Sequence, residues 1–174
     1  MLLSKEDRKY IRIQAFKLRE KINMKKAARI ITKDIIAQYF SHMCKLVYVD
    51  FGQDGDVVTY YHPGKKVCVM LVNEQRALKF PKRLNFSLAH ELGHLVLKHY
   101  EYLDNPDISP EKKELLEWHA DEFAAQFLIS DYKLMQHKRV KNSILSDYFF
   151  VSEEVIRIRK ESLGIFSVKD RKPS

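Results

Sequence analysis

Residues 90 to 94 read His90-Glu91-Leu92-Gly93-His94, an H-E-x-x-H run. Positions i and i+4 of an α-helix lie one above the other on the same face, so two imidazoles at this spacing can bind one metal ion. The glutamate beside the first histidine is not needed as a ligand. It stays free to take a proton from a water held by the ion. The setting is that of a buried helix: Phe86, Leu88, Ala89, Leu92, Leu95, Val96 and Leu97 surround the run, and Asn85 is placed to cap its start. The plainer alternative is that both histidines are satisfied core residues and Glu91 is solvated.

A catalytic zinc site takes three protein ligands and keeps one position open. The third ligand here is not a histidine six residues after His94, because Tyr100 stands there and Leu97 replaces the glycine of the extended motif. His99 would turn away from the 90/94 face on a continuous helix and reads as a surface or helix-end residue. A second helix is predicted over residues 109–128. Ser109-Pro110-Glu111 supplies an N-cap, a first-turn proline and an acidic first turn. Leu116, Ala120, Phe123, Ala124, Phe127 and Leu128 then recur at helical spacing. Glu117 and Asp121 share a face that borders this stripe. That placement predicts Glu117 as third ligand and Asp121 as acceptor for the outer N–H of a ligating histidine. His119 and Glu122 are rival ligands off that face. Ala120, Ala124, Ala125 and Gly93 would let the two helices approach closely. Without the histidine motif, Glu117 would simply belong to a solvated face with Glu111, Glu114 and Glu122.

Three stretches resemble the ImmA/IrrE family of zinc metallopeptidases. The first is Phe86-Ser87-Leu88-Ala89-His90-Glu91-Leu92-Gly93-His94. The second is Glu117-x-x-Ala120-Asp121-x-Phe123-Ala124-Ala125-x-Phe127-Leu128, similar to the family's glutamate helix. That helix often carries asparagine at the position of Asp121 and often ends in a proline, where this chain has Ile129-Ser130-Asp131. The third runs from Leu145 to Val155, followed by Arg157 and Leu163, and is similar to a short C-terminal pattern of two helices around phenylalanine, x, valine, serine. The resemblance implies a zincin-like α+β domain in which His90, His94 and Glu117 hold Zn2+ and Glu91 is the general base. It further implies a cytoplasmic protease that cuts a repressor protein, usually one encoded beside it on a phage or other mobile element. A branch with a further C-terminal domain governs a DNA-damage response; with an end at Ser174, the short branch is the expectation.

A length of 174 residues suits one domain with a sizeable core, and 45% apolar with 31% charged residues is a folded-protein composition. No apolar run approaches a membrane span and no signal peptide is apparent, so no membrane partner is expected. Cys44 and Cys68 read as two free buried thiols. The net charge of +8 is uneven: residues 1–45 carry +8, residues 46–130 carry −4 and residues 131–174 carry +4. Solvated helix faces explain this blandly. A surface for an acidic protein, or a weak nucleic-acid contact through the basic N-terminal segment, is the sharper reading.

The domain is expected to span 1–168, with N-terminal helices in 1–44, sheet and zinc-binding helices in 45–130, C-terminal helices in 131–168 and a disordered tail in 169–174. Helices are predicted over 4–21 and 25–42, packing on the back of the sheet; a helix-turn-helix is conceivable there but lacks the usual short glycine turn. Leu46 to Phe51, Val57 to His62 and Val67 to Asn73 read as strands of a small antiparallel meander, with turn signals at 52–55 and Pro63-Gly64. Val67 to Asn73 is the favoured edge for an added peptide strand. Gln75 to Arg83 reads as a basic link and Tyr100 to Ser109 as a loop. The expected chemistry is metal-assisted peptide hydrolysis, with Tyr60, Tyr61, His62, Tyr100 and Tyr102 as unranked oxyanion donors. The alternative is a zinc-containing regulator that binds a repressor or DNA without proteolysis.

Overall fold

The computed structural model describes residues 3–52, 55–62, 64–103 and 105–165. The expected tail, 169–174, and parts of both turns between strands lie outside them. The chain runs α1 (Lys5–Lys21), α2 (Thr32–Tyr39), β1 (Cys44–Val49), β2 (Val57–His62), β3 (Val67–Asn73), α3 (Glu74–Lys79), α4 (Pro81–Val96), α5 (Tyr100–Leu103), α6 (Pro110–Leu128), α7 (Asp131–Gln136), α8 (Asn142–Phe149) and α9 (Glu153–Ser162). This is an α+β fold, as expected.

The sheet is mixed rather than an antiparallel meander. Its order is β1-β3-β2, with β1 parallel to β3 and β2 antiparallel to it. β3 is therefore central, and the edges are β1 and β2, not Val67–Asn73. The pattern along β3 explains its place: Cys68, Met70 and Val72 are buried on one face, where Leu84 and Leu88 of α4 and Ile36 of α2 meet them. Cys44 and Cys68 face each other in register across β1 and β3, both buried and free.

α1 follows prediction because Ser4 and Asp7 close a capping box at its start. It packs on α6 rather than on the sheet, with Ile11, Ala15 and Leu18 in the same core as Phe123, Phe127, Phe149 and Ile156. The second helix is shorter than the predicted 25–42. Asn23 takes φ 57°, and the chain stays irregular until Thr32. Tertiary bonds hold that irregular stretch: buried Arg19 donates to the carbonyls of Phe127 (2.7 Å) and Ala27. So long a connection between α1 and α2 excludes a helix-turn-helix, whose turn is about 3–4 residues.

The predicted basic link at 75–83 is helix α3 and the first turn of α4. Pro81 separates them by forcing Phe80 out of the helical region (φ −132°, ψ 58°) and then serving as the first residue of α4. Asn85 is thus one turn inside α4 and does not cap it. It is 4% exposed. Its amide donates to the carbonyls of Ile30 (2.9 Å) and Phe150 (3.0 Å) and accepts from the Thr32 N–H (2.8 Å). α6 begins as predicted, with Ser109 accepting from the Lys112 N–H and Pro110 in the first turn. α4 and α6 cross at Gly93. A Cβ there would lie 3.0 Å from Phe123 Cδ1 and 3.3 Å from the Ala120 backbone, so glycine is what lets the helices touch.

Candidate metal centre

The close crossing sets the geometry of everything above it. One turn before Gly93 and directly after it, α4 presents His90 and His94, and one turn before Ala120, α6 presents Glu117. His90 Nε2 and His94 Nε2 are 3.0 Å apart. Glu117 reaches both, Oε2 lying 3.1 Å from His90 Nε2 and Oε1 3.6 Å from His94 Nε2. One donor atom from each of the three residues falls within 4.8 Å of the others, a spacing that can hold a metal ion. Two imidazoles and one carboxylate are a borderline-soft donor set that fits zinc.

The outer nitrogens are also held. His90 Nδ1 lies 2.8 Å from Asp121 Oδ1, the partner predicted from the i, i+4 spacing. His94 Nδ1 lies 3.1 Å from His99 Nδ1. His99 is not a surface residue: it is 3% exposed. The helix ends at Val96 with Leu97 as its cap, and Lys98 at φ 60° turns the chain back beneath His94. His119 does not join the centre; its ring stands behind His99, 5.7 Å away, and its Nε2 lies 3.7 Å from Asp7. Glu122 also points elsewhere, pairing with Arg159 at 3.2 Å.

Charge around the three donors favours a cation. Burial disfavours protonation of His90, but Asp121 and Glu117 outweigh it and raise its pKa from 6.5 to about 10. Hydrogen bonds from His90, then His94, hold the Glu117 carboxyl well below its ordinary range. A metal ion binding here must displace that proton, so binding releases a proton and depends on pH. Behind it the sign reverses. Burial, with the charges of His94 and His119, lowers His99 to about 3, so its imidazole stays neutral.

Glu91 sits beside the donors on a cleft of about 330 Å³ that also touches Val57, Phe86, Ser87, His90 and Asp121. Tyr100 OH donates to Glu91 Oε2 at 3.0 Å. Tyr100 is buried, its ring stacks on Tyr61 at 4.9 Å, and burial with the Glu91 charge raises its pKa. Of the tyrosines expected as oxyanion donors, Tyr100 therefore orients Glu91, whereas Tyr60 and Tyr102 are exposed. The far wall of the cleft is Asp56, which accepts from Arg76 and Arg83 at 2.6 Å each and from Ser87 at 3.1 Å. Burial opposes ionisation of Asp56, but these bonds win and lower its pKa. Sequence reading missed His99 because it extended the helix past Leu97; Lys98-His99 just after a run of apolar residues was the available signal.

No helix among the described residues is long and apolar enough to cross a membrane. No curated protein matches the chain. A solved structure described as a Mycobacterium tuberculosis transcriptional regulator is similar in fold, with a TM-score of 0.59 and 18% identity over 88% of this chain and 50% of that one. This chain thus spans half the length of that structure. The family model of Peptidase M78, the IrrE N-terminal-like domain, matches residues 41–161. That stretch is more than half of the chain and contains His90, Glu91, His94, Glu117 and Asp121; the chain belongs to this peptidase family.

Proposed function

We propose that the chain is a zinc-dependent, site-specific endopeptidase of the cytoplasm that cuts a helix-turn-helix repressor protein and so releases genes of a phage or other mobile element. The observation that carries the metal chemistry is the convergence of His90 Nε2, His94 Nε2 and the Glu117 carboxylate beside the cleft that holds Glu91. The repressor as substrate is supported by the ImmA/IrrE resemblance of the motifs and is compatible with the fold shared with a transcriptional regulator.

His90, His94 and Glu117 would hold the ion. Zinc, when bound, would supply a Lewis acid that acidifies a water and polarises the scissile carbonyl. Glu91 accepts the water's proton and returns it to the leaving amine. Tyr100 fixes one oxygen of the Glu91 carboxylate and leaves the other free for that exchange. Asp121 and His99 fix the two imidazoles, so neither rotates when the proton moves. An extended peptide is placed best along β2, an edge strand whose first residue, Val57, lines the cleft.

The test is co-expression with the helix-turn-helix repressor encoded nearest to the gene, comparing the wild-type chain with Glu91→Gln on a gel. A discrete repressor fragment with the wild type alone, at equal zinc content, is the expected result. An intact repressor that co-purifies in both lanes would replace cutting with capture. Full activity in Glu91→Gln would sink the mechanism.

A further inference from the structure

The cleft that holds Glu91 is also lined by Arg83, a cation that no step of the hydrolysis uses. On α4, Arg83, Ser87, His90 and His94 follow at i, i+4, i+7 and i+11 and form one row along a single helix face. Arg83 thus lies about 10 Å from His90 along the helix axis. Its Nε donates to Asp56 Oδ2 at 2.6 Å, and Asp56 is fixed in turn by Arg76 and Ser87. The guanidinium is therefore held in place while 63% of the side chain stays exposed. Among the described residues its two terminal nitrogens meet no acceptor. Strand β2 follows the same row. Asp56, directly before it, bonds Arg83, and Tyr61 near its end stacks on Tyr100, which bonds Glu91. A peptide added to the β2 edge passes both Glu91 and Arg83.

We infer that Arg83 is a specificity-determining residue that binds an acidic side chain of the substrate, about three residues from the bond being cut. The inference rests on the endopeptidase reading and names the chemistry of its substrate. The spacing follows from length, because about three residues of extended chain span the distance from His90 to Arg83. The charge along the cleft favours the same position. Beside the donors stand the carboxylates of Glu91 and Asp121, which repel an acidic residue next to the cut. At the other end Arg83 offers a planar pair of N–H groups, the shape that a carboxylate accepts in two parallel bonds. With Nε already anchored on Asp56, that contact costs less ordering than a free arginine would pay.

The experiment is calorimetric titration of the zinc-loaded full chain with two pairs of alanine-based tripeptide hydroxamates, so no cleavage is needed. In one pair the peptide extends from the chelating group toward its amino end, in the other toward its carboxyl end. The members of each pair carry glutamate or glutamine at the third residue from the chelator. In the pair whose direction matches the strand added to β2, the glutamate compound is expected to bind about fivefold more tightly. High salt should shrink that ratio. Arg83→Gln brings it to about one, Arg83→Glu takes it below one and Arg83→Lys keeps part of it. The zinc content of each variant is measured alongside, so that a lost centre is not mistaken for a lost preference. A ratio near one in both pairs with the wild type, or a ratio that Arg83→Gln leaves unchanged, overturns the role of Arg83. If none of the four compounds binds, the metal reading itself fails and the role of Arg83 with it, a result distinct from equal binding of glutamate and glutamine.

Discussion

His90 and His94 offer the same atom to the same centre, yet the regions behind them differ. On the outer side, His90 leans on Asp121, a carboxylate that is 60% exposed at the cleft wall. On the inner side, His94 leans on His99, which is 3% exposed, with His119 and Asp7 beyond it. A carboxylate adds charge and raises the basicity of the ligand it holds. A buried imidazole adds none, because burial and its histidine neighbours keep it neutral. One side of the centre therefore tunes charge, and the other fixes position. Solvent reduces the structural penalty of replacing the outer partner, whereas the inner partner is part of the core.

Three substitutions test that division, the first with the largest expected effect. Asp121→Asn keeps the shape and removes the charge; zinc affinity, measured by competition with a chromophoric chelator, should fall about 30-fold. The urea midpoint of the metal-free protein should fall slightly at neutral pH, by less than in the His99 variant, because the lost His90–Asp121 pair is screened by solvent. His99→Phe keeps the volume and removes the inner partner. Zinc affinity should fall only about tenfold, but the metal-free protein should lose about 1–2 kcal/mol because His94 Nδ1 is left buried without its partner. If His99→Phe costs more zinc affinity than Asp121→Asn, or leaves stability intact, the contrast between the two sides is wrong. Tyr100→Phe touches neither side. It should leave zinc affinity unchanged and slow cleavage about fivefold, well short of the roughly 100-fold or more that removal of an acid–base group brings. A shift in zinc affinity in that variant would mean that Tyr100 supports the donors rather than Glu91.

The legibility of the molecule follows the same line between local and distant causes. His90, Glu91 and His94 are readable because one helix supplies their spacing. Glu117 and Asp121 are readable because a second helix repeats that logic against an apolar stripe. β2 and β3 are found residue for residue, since alternation and turn glycines are local; Gly52 and Gly55 take φ 85° and 78° at the bend between β1 and β2. What was lost depends on partners far along the chain. The parallel pairing of β1 with β3 leaves no local mark. Residues 25–31 have helix-forming composition but bond through Arg19 and Asn85 to other elements. Asn85 looks like a cap by residue type, and only the position of Pro81 moves the helix start ahead of it. His99 is hidden by one left-handed residue, Lys98.

The Asn85 side chain joins, through three bonds, the segment before α2, the first residue of α2 and the residue that ends α8 to the second turn of α4. The helix that carries the metal donors is thus also a mooring point for both ends of the chain. Any opening that frees the C-terminal helices at Phe150 must first release this amide from α4. An ion that stabilises α4 therefore raises the free energy of that distant opening too. Occupancy of the centre should be legible far from it, as slower amide hydrogen exchange around Phe150 and Val151, and an empty centre as a chain whose two ends loosen together.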